Sequence, residues 1–151
     1  MSAYRALFVV IGGLLMVAAF FMPWAKASIM GFSEPVLSGY DVAQKEAVWL
    51  APPFCGGFVA VGGLVALAMA LRRTFAGLRG LGIGVFALAL APGLFLLTML
   101  VRLHGGGIAF SWLENATAES LGLRYLYGLH LEFLGCLMAT VGGAWLAFGR
   151  R

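Results

Sequence analysis

Hydrophobic positions along the chain fall into four long runs, separated by segments that carry the charges, prolines and turn residues. The first runs from Ala6 to Met22 and stops at Pro23-Trp24. The second follows Trp49-Leu50-Ala51-Pro52-Pro53 and extends from Phe54 to Leu71. The third extends from Leu78 to Leu103, with Arg79 and Arg102 near its ends, and the fourth from Tyr125 to Phe148. Crossing a hydrocarbon core takes ~20 apolar residues at about 1.5 Å each, so all four are long enough. The pattern predicts an all-α membrane protein, a four-transmembrane-helix bundle. Its helices are expected near 6–23, 52–71, 78–103 and 123–148, with loops at 24–51 and 104–122 and a turn at 72–77.

Composition agrees with that pattern. Hydrophobic residues make up 62% of the 151, charged residues 11%, and mean hydropathy is +0.99. Soluble domains lie far from these values. One membrane domain, 1–151, uses the whole chain and leaves no room for a soluble one. The 22 glycines sit mostly inside apolar runs, where they allow close helix packing, and do not form a linker.

Charge predicts orientation. Arg5, Arg72, Arg73, Arg79, Arg150 and Arg151 cluster at the N-terminus, the short turn and the C-terminus with no acidic residue among them. Lys26, Lys45, Arg102 and Arg124 share the two longer loops with Glu34, Asp41, Glu46, Glu114 and Glu119. The positive-inside rule therefore expects both termini and the inner-face arginines in the cytoplasm and both longer loops outside. The formal net charge of +4 follows from this topology and implies no nucleic-acid partner. Arg5, an apolar run and Ala25-Lys26-Ala27 also resemble a signal peptide. The run exceeds the usual 7–15 residues of such peptides, which favours an uncleaved first helix.

In the first outer loop, Gly31, Pro35, Ser38 and Gly39 mark turns. The stretch from Pro35 to Val42 is expected to pair with Lys26–Met30 as a small hairpin. Asp41 and Gln44 have capping-box spacing and would start a short helix leading to Trp49. Pro52 and Pro53 then open the second span, where a helix accepts proline. In the second loop, His104 to Gly107 stop a helix, and Ser111 with Glu114 suggests a short surface helix. Asn115-Ala116-Thr117 is a glycosylation pattern with meaning only in a eukaryotic secretory pathway. Trp24, Trp49, Trp112 and Tyr125 are expected as interfacial anchors.

Few residues offer chemistry. Cys55 lies near the start of the second span, and Cys136 about 16 Å beyond Tyr125 on the fourth. Different depths argue against a disulfide, and the loops hold no surface dithiol, so both thiols are expected as small core residues. His104 and His130 do not suit a haem or a metal, and no cofactor is expected. Glu132 stands out. It belongs to the series Gly128, Glu132, Gly135, Ala139, Gly142, Leu146, a four-three spacing of small residues that forms a helix-packing seam. His130 lies about 200° away around the helix and cannot share its site. An embedded carboxylate is paired, lines a wet cavity or stays protonated. The expected partner is Arg102, in a Glu132–Arg102 ion pair that ties the third and fourth helices; the alternative is a titrating or cation-binding Glu132. Ala91-Pro92-Gly93 breaks the donor pattern in the middle of the third span.

Met22-Pro23-Trp24 closing the first helix, an extended first outer loop, an arginine-bearing inner turn and the glycine-rich Tyr127–Leu146 stretch together resemble the claudin-like four-helix plan. The chain is also similar to small uncharacterised bacterial four-helix integral membrane proteins with a Pro-Trp…Ser-Gly first loop, here Pro23-Trp24 and Ser38-Gly39. The resemblance implies the four-helix fold. Claudins carry a tryptophan-rich signature and two cysteines in the first outer loop; this loop has no cysteine, so barrier function is not implied. Small multidrug exporters also combine four helices with one embedded glutamate, but theirs is in the first helix.

No catalytic constellation is present, so the expectation is a non-enzymatic subunit of a larger assembly in the lipid bilayer of a bacterial inner membrane. It would pack against a protein partner or form a homo-oligomer. The alternative is a small oligomeric proton-coupled transporter or channel that uses Glu132.

Overall fold

The computed structural model describes residues 2–29, 36–72, 77–104, 121–125 and 127–149. The expected surface helix at Ser111, Trp112, Arg73, Arg150 and Arg151 lie outside the described residues. The order of elements is α1 (Ser2–Phe20), β1 (Pro23–Ile29), β2 (Val36–Ser38), α2 (Gly39–Lys45), a 3-10 turn (Ala47–Leu50), α3 (Ala51–Leu71), α4 (Leu78–His104), β3 (Leu121–Tyr125) and α5 (Tyr127–Phe148). Four of the helices, α1, α3, α4 and α5, are long and apolar enough to cross a membrane.

α1 stops before Pro23 because a residue preceding proline avoids the helical region. The amides of Phe21 and Met22 reach back to the carbonyls of Ala18 and Ala19, at 3.1 Å each, in a last tightened turn. β1 follows directly and becomes the middle strand of a three-stranded sheet in the order β2-β1-β3. The expected hairpin is present, with Ala25 opposite Leu37 and Lys26 opposite Val36. The third strand was not expected. Leu123–Tyr125 had been assigned to the last helix, yet Ala25 pairs with Tyr125 and Ile29 with Leu121. Pairing on both sides satisfies the backbone groups of β1, which outweighs the helical preference of so short a leucine-rich stretch.

The short helix before Trp49 is also present, with its cap one turn earlier than expected. Ser38, not Asp41, is the N-cap, and Asp41 takes the role expected of Gln44. Asp41 N–H donates to Ser38 Oγ at 3.3 Å, and the Ser38 amide donates to Asp41 Oδ2 at 2.9 Å. Ser38 ends a strand, so it already has the extended backbone that an N-cap requires.

α1 packs closely on both α3 and α5; α4 packs on α5 and more lightly on α3. The four directions alternate, so both termini lie at one end of the bundle, opposite the sheet. Arg5 crosses between them there and donates to the Trp145 carbonyl at 3.2 Å. Glycine makes these approaches. A methyl group on Gly12 would sit 2.6 Å from the Ala139 nitrogen, and one on Gly13 would sit 2.5 Å from the Ala60 nitrogen. Adjacent residues on a helix point about 100° apart, so this pair opens α1 to a neighbour on each side. On α4, Gly82 does the same against Ala147.

Trp24 and Trp49 differ from expectation. Both are fully buried and do not face lipid. Gly39 and Gly128 leave a slot in which a methyl group would fall within 2.7 Å of the Trp24 ring on either side. The Trp24 indole N–H donates to the Ala19 carbonyl at 2.8 Å, and that of Trp49 to Glu46 at 3.0 Å. With their polar atoms satisfied inside the protein, neither ring needs the interface. The side chain of Tyr125 lies outside the described residues.

Two measurements check this packing. Gly12→Ala pushes a side chain into backbone and lowers the unfolding free energy in detergent by about 1–3 kcal/mol. Gly57→Ala, with nothing within 4 Å of the new methyl, leaves it unchanged or slightly raised. At the cap, Ser38→Ala costs about 1 kcal/mol. Hydrogen bonds from the Ser38 side chain and backbone hold the Asp41 carboxyl below its ordinary value. Its contribution is therefore complete above the unfolded value of about 3.9 and is lost as pH falls through the lower folded value. The melting-temperature gap between wild type and Asp41→Ala should close on acidification.

Candidate functional site

The core of the bundle contains one charged-type residue among the described residues, Glu132, at 0% exposure. The register of α5 against α1 follows from three contacts: Gly142 with Val9, Gly12 with Ala139, and Gly135 with Met16. Extending it places Ala19 opposite Glu132. Gly128, Glu132, Gly135, Ala139 and Gly142 are all buried, and the glycines of the series pack on α1 or on Pro23-Trp24. Small residues on either side of Glu132 bring the two backbones together.

On the α4 side, Gly82 meets Ala147, Phe86 meets Gly143 and Gly93 meets Cys136. The same antiparallel register puts Leu97 opposite Glu132 and the fully buried Leu96 beside it. Pro92 is buried inside α4 and supplies no amide. At the sheet end, an aromatic layer closes the core. The rings of Trp24 and Trp49 lie 5.5 Å apart, and those of Trp49 and Phe95 5.1 Å apart, all steeply tilted.

Neither carboxylate oxygen of Glu132 has a hydrogen-bond partner among the described residues. The carbonyl of Ala19, the residue opposite in register, accepts from the Trp24 indole. The backbone of Arg102 lies in the last turn of α4, and its side chain lies outside the described residues. In the α4–α5 register it sits five positions past Leu97, about 7.5 Å nearer the sheet end at 1.5 Å per residue. That separation is close to the length of an extended arginine side chain. His130 is exposed on another face of α5. No group of three His, Cys, Asp or Glu side chains able to hold a metal occurs among the described residues.

Cys55 and Cys136 are both free, yet they are not at different depths. Gly56 and Gly135, their immediate neighbours, both pack on Met16. The Cys136 thiol lies within electrostatic reach of the Glu132 carboxyl and of the Cys55 thiol. The depth argument assumed that every span begins at the membrane surface. In the folded chain α2 and the 3-10 turn occupy the sheet end, so Cys55, one turn into α3, is already well inside. The sequence signal for this level was Met16 following Gly12-Gly13 at helical spacing.

Comparison with protein-family models, curated proteins and solved structures returns no match. None of these comparisons supports the claudin-like resemblance.

An unpartnered buried carboxyl costs stability, on the order of 1–3 kcal/mol. Glu132→Met, similar in volume, should raise the melting temperature. A fall that Arg102→Met reproduces would instead show that the two residues are paired.

Proposed function

We propose that this chain is a non-enzymatic membrane subunit that docks a transmembrane helix of a partner protein along α4. The observation that carries this reading is a second small-residue seam. Gly80, Gly84, Ala87, Ala91, Leu94 and Thr98 repeat the four-three spacing of the α5 series, and every one is exposed. A methyl group on Gly80 or Gly84 would meet nothing within 4 Å. On α5 the same pattern is filled by α1. Lipid gives helices no hydrophobic reason to associate, so close backbone approach along small residues is the principal means of docking. A partner helix with a face of small or β-branched residues suits this groove.

The exposed Arg72 and Arg79 at the turn end, with Arg73 next to Arg72 in sequence and Arg150-Arg151 following the last helix, support a cytoplasmic position for that end and for both termini. A bacterial inner membrane fits this arrangement. A second reading draws on Glu132. A buried carboxyl with no hydrogen-bond partner among the described residues is the kind of group that carries protons or cations through membrane proteins, and an oligomer using it would be a small transporter or channel.

The test extracts C-terminally tagged protein in mild detergent and measures particle size and co-purifying chains. The subunit reading expects a partner at fixed stoichiometry that is lost in Ala87→Leu and Ala91→Leu. The stability of both variants should stay within about 0.5 kcal/mol of wild type, as for other surface substitutions. A partner-free monomer or homo-oligomer that moves protons into liposomes, and ceases to in Glu132→Gln, supports the second reading and sinks the first.

A further inference from the structure

Three sulfur-bearing residues from three helices lie at one level of the bundle: Met16 of α1, Cys55 of α3 and Cys136 of α5. Met16 is fully buried, and its side chain lies between the two flanking helices. Its Cβ lies 2.6 Å from where a methyl on Gly56 would stand, and its Cγ 3.0 Å from one on Gly135. Cys55 and Cys136 adjoin those glycines in sequence. Cys136 belongs to the same buried cluster as Met16, and Cys55 packs against that cluster. On the fourth side, Gly93 leaves Cys136 room, since a methyl there would come only within 3.3 Å of the Cys136 Cβ.

We infer that Met16, Cys55 and Cys136 form a binding site for a soft monovalent cation, Cu(I) or its analogue Ag(I), inside the helix bundle. The donor set decides the class of ion. Thiolate and thioether sulfur selects Cu(I) over the hard cations, which demand six or more oxygen ligands. Among the described core residues the one buried carboxyl is Glu132, far short of such an oxygen cage. Soft monovalent ions accept two or three sulfur ligands, which is what the three helices provide.

Binding displaces the thiol protons, as for any cysteine ligand. The Cys55 and Cys136 protons each leave their sulfur as the metal–sulfur bonds form and pass to the buffer. The site is separate from the open face of α4, and it stands whether or not a partner docks there.

The test titrates the purified full chain in detergent with Cu(I) under anaerobic, reducing conditions against a Cu(I) chelator. X-ray absorption then reads the ligand atoms. Wild type should bind one equivalent with sulfur-only coordination. Cys55→Ala should weaken binding by more than ~100-fold, beyond what loss of an outer-shell partner costs, and Met16→Leu should remove one sulfur from the coordination shell. Cys55 is only half-buried, so its variant keeps the test valid if Cys136→Ala fails to fold. Equal binding by wild type and the Cys55→Ala/Cys136→Ala double variant, coordination by nitrogen or oxygen, or no binding would each overturn the site.

Discussion

Everything in this bundle is referenced to the backbone contact that Gly12 and Gly13 open on two sides of α1. In a bilayer, helices gain nothing by hiding apolar surface from one another, since lipid tails are as apolar as leucine. What holds them is dispersion between atoms that come very close, and a single methyl on either glycine would overlap backbone of α5 or α3. That contact fixes the two registers. The registers in turn put Gly128 beside Trp24, Ala19 opposite Glu132, and Met16 between the neighbours of both cysteines.

The sheet end completes the closure. β1 receives a strand from each of the two connecting segments, and Trp24, at its start, is clamped between Gly39 and Gly128. A ring held this way, with its N–H bonded to the end of α1, couples the sheet to the bundle. Trp49 and Phe95 extend the aromatic layer across to α4. The polar and sulfur-bearing side chains of the core therefore lie beneath a lid of aromatic carbon.

The spans, the short helix before Trp49 and the pairing of the first loop were legible because each rests on local spacing: apolar run length, a capping pair three residues apart (read as Asp41 with Gln44, one turn after the actual Ser38 with Asp41) and β-prone residues around turns. The face shared by Gly128, Glu132, Gly135 and Gly142 was legible for the same reason. What was not legible depends on long-range geometry. β3 is visible only as the partner of a strand about a hundred residues earlier, and Leu121–Tyr125 alone reads as the start of a helix. The burial of Trp24 and Trp49 depends on glycines in α2 and α5 that make room for one of them. The shared level of Cys55 and Cys136 depends on how deep α3 begins, which counting residues from an assumed membrane surface does not reveal. Two seams with the same spacing differ only in that one is occupied, and no sequence pattern distinguishes them.

That difference between a filled α5 seam and an open α4 seam is the centre of the functional account. The most direct measurement is a photo-crosslinking scan in native membranes, with a photoreactive residue placed singly on the lipid-facing positions of α1, α3, α4 and α5. The account predicts crosslinks to one protein species from positions 80, 84, 87 and 91, at helical period, and only lipid adducts from Leu14, Leu64 and Leu137. Protein crosslinks spread evenly over all four helices, or lipid adducts alone along α4, would contradict it.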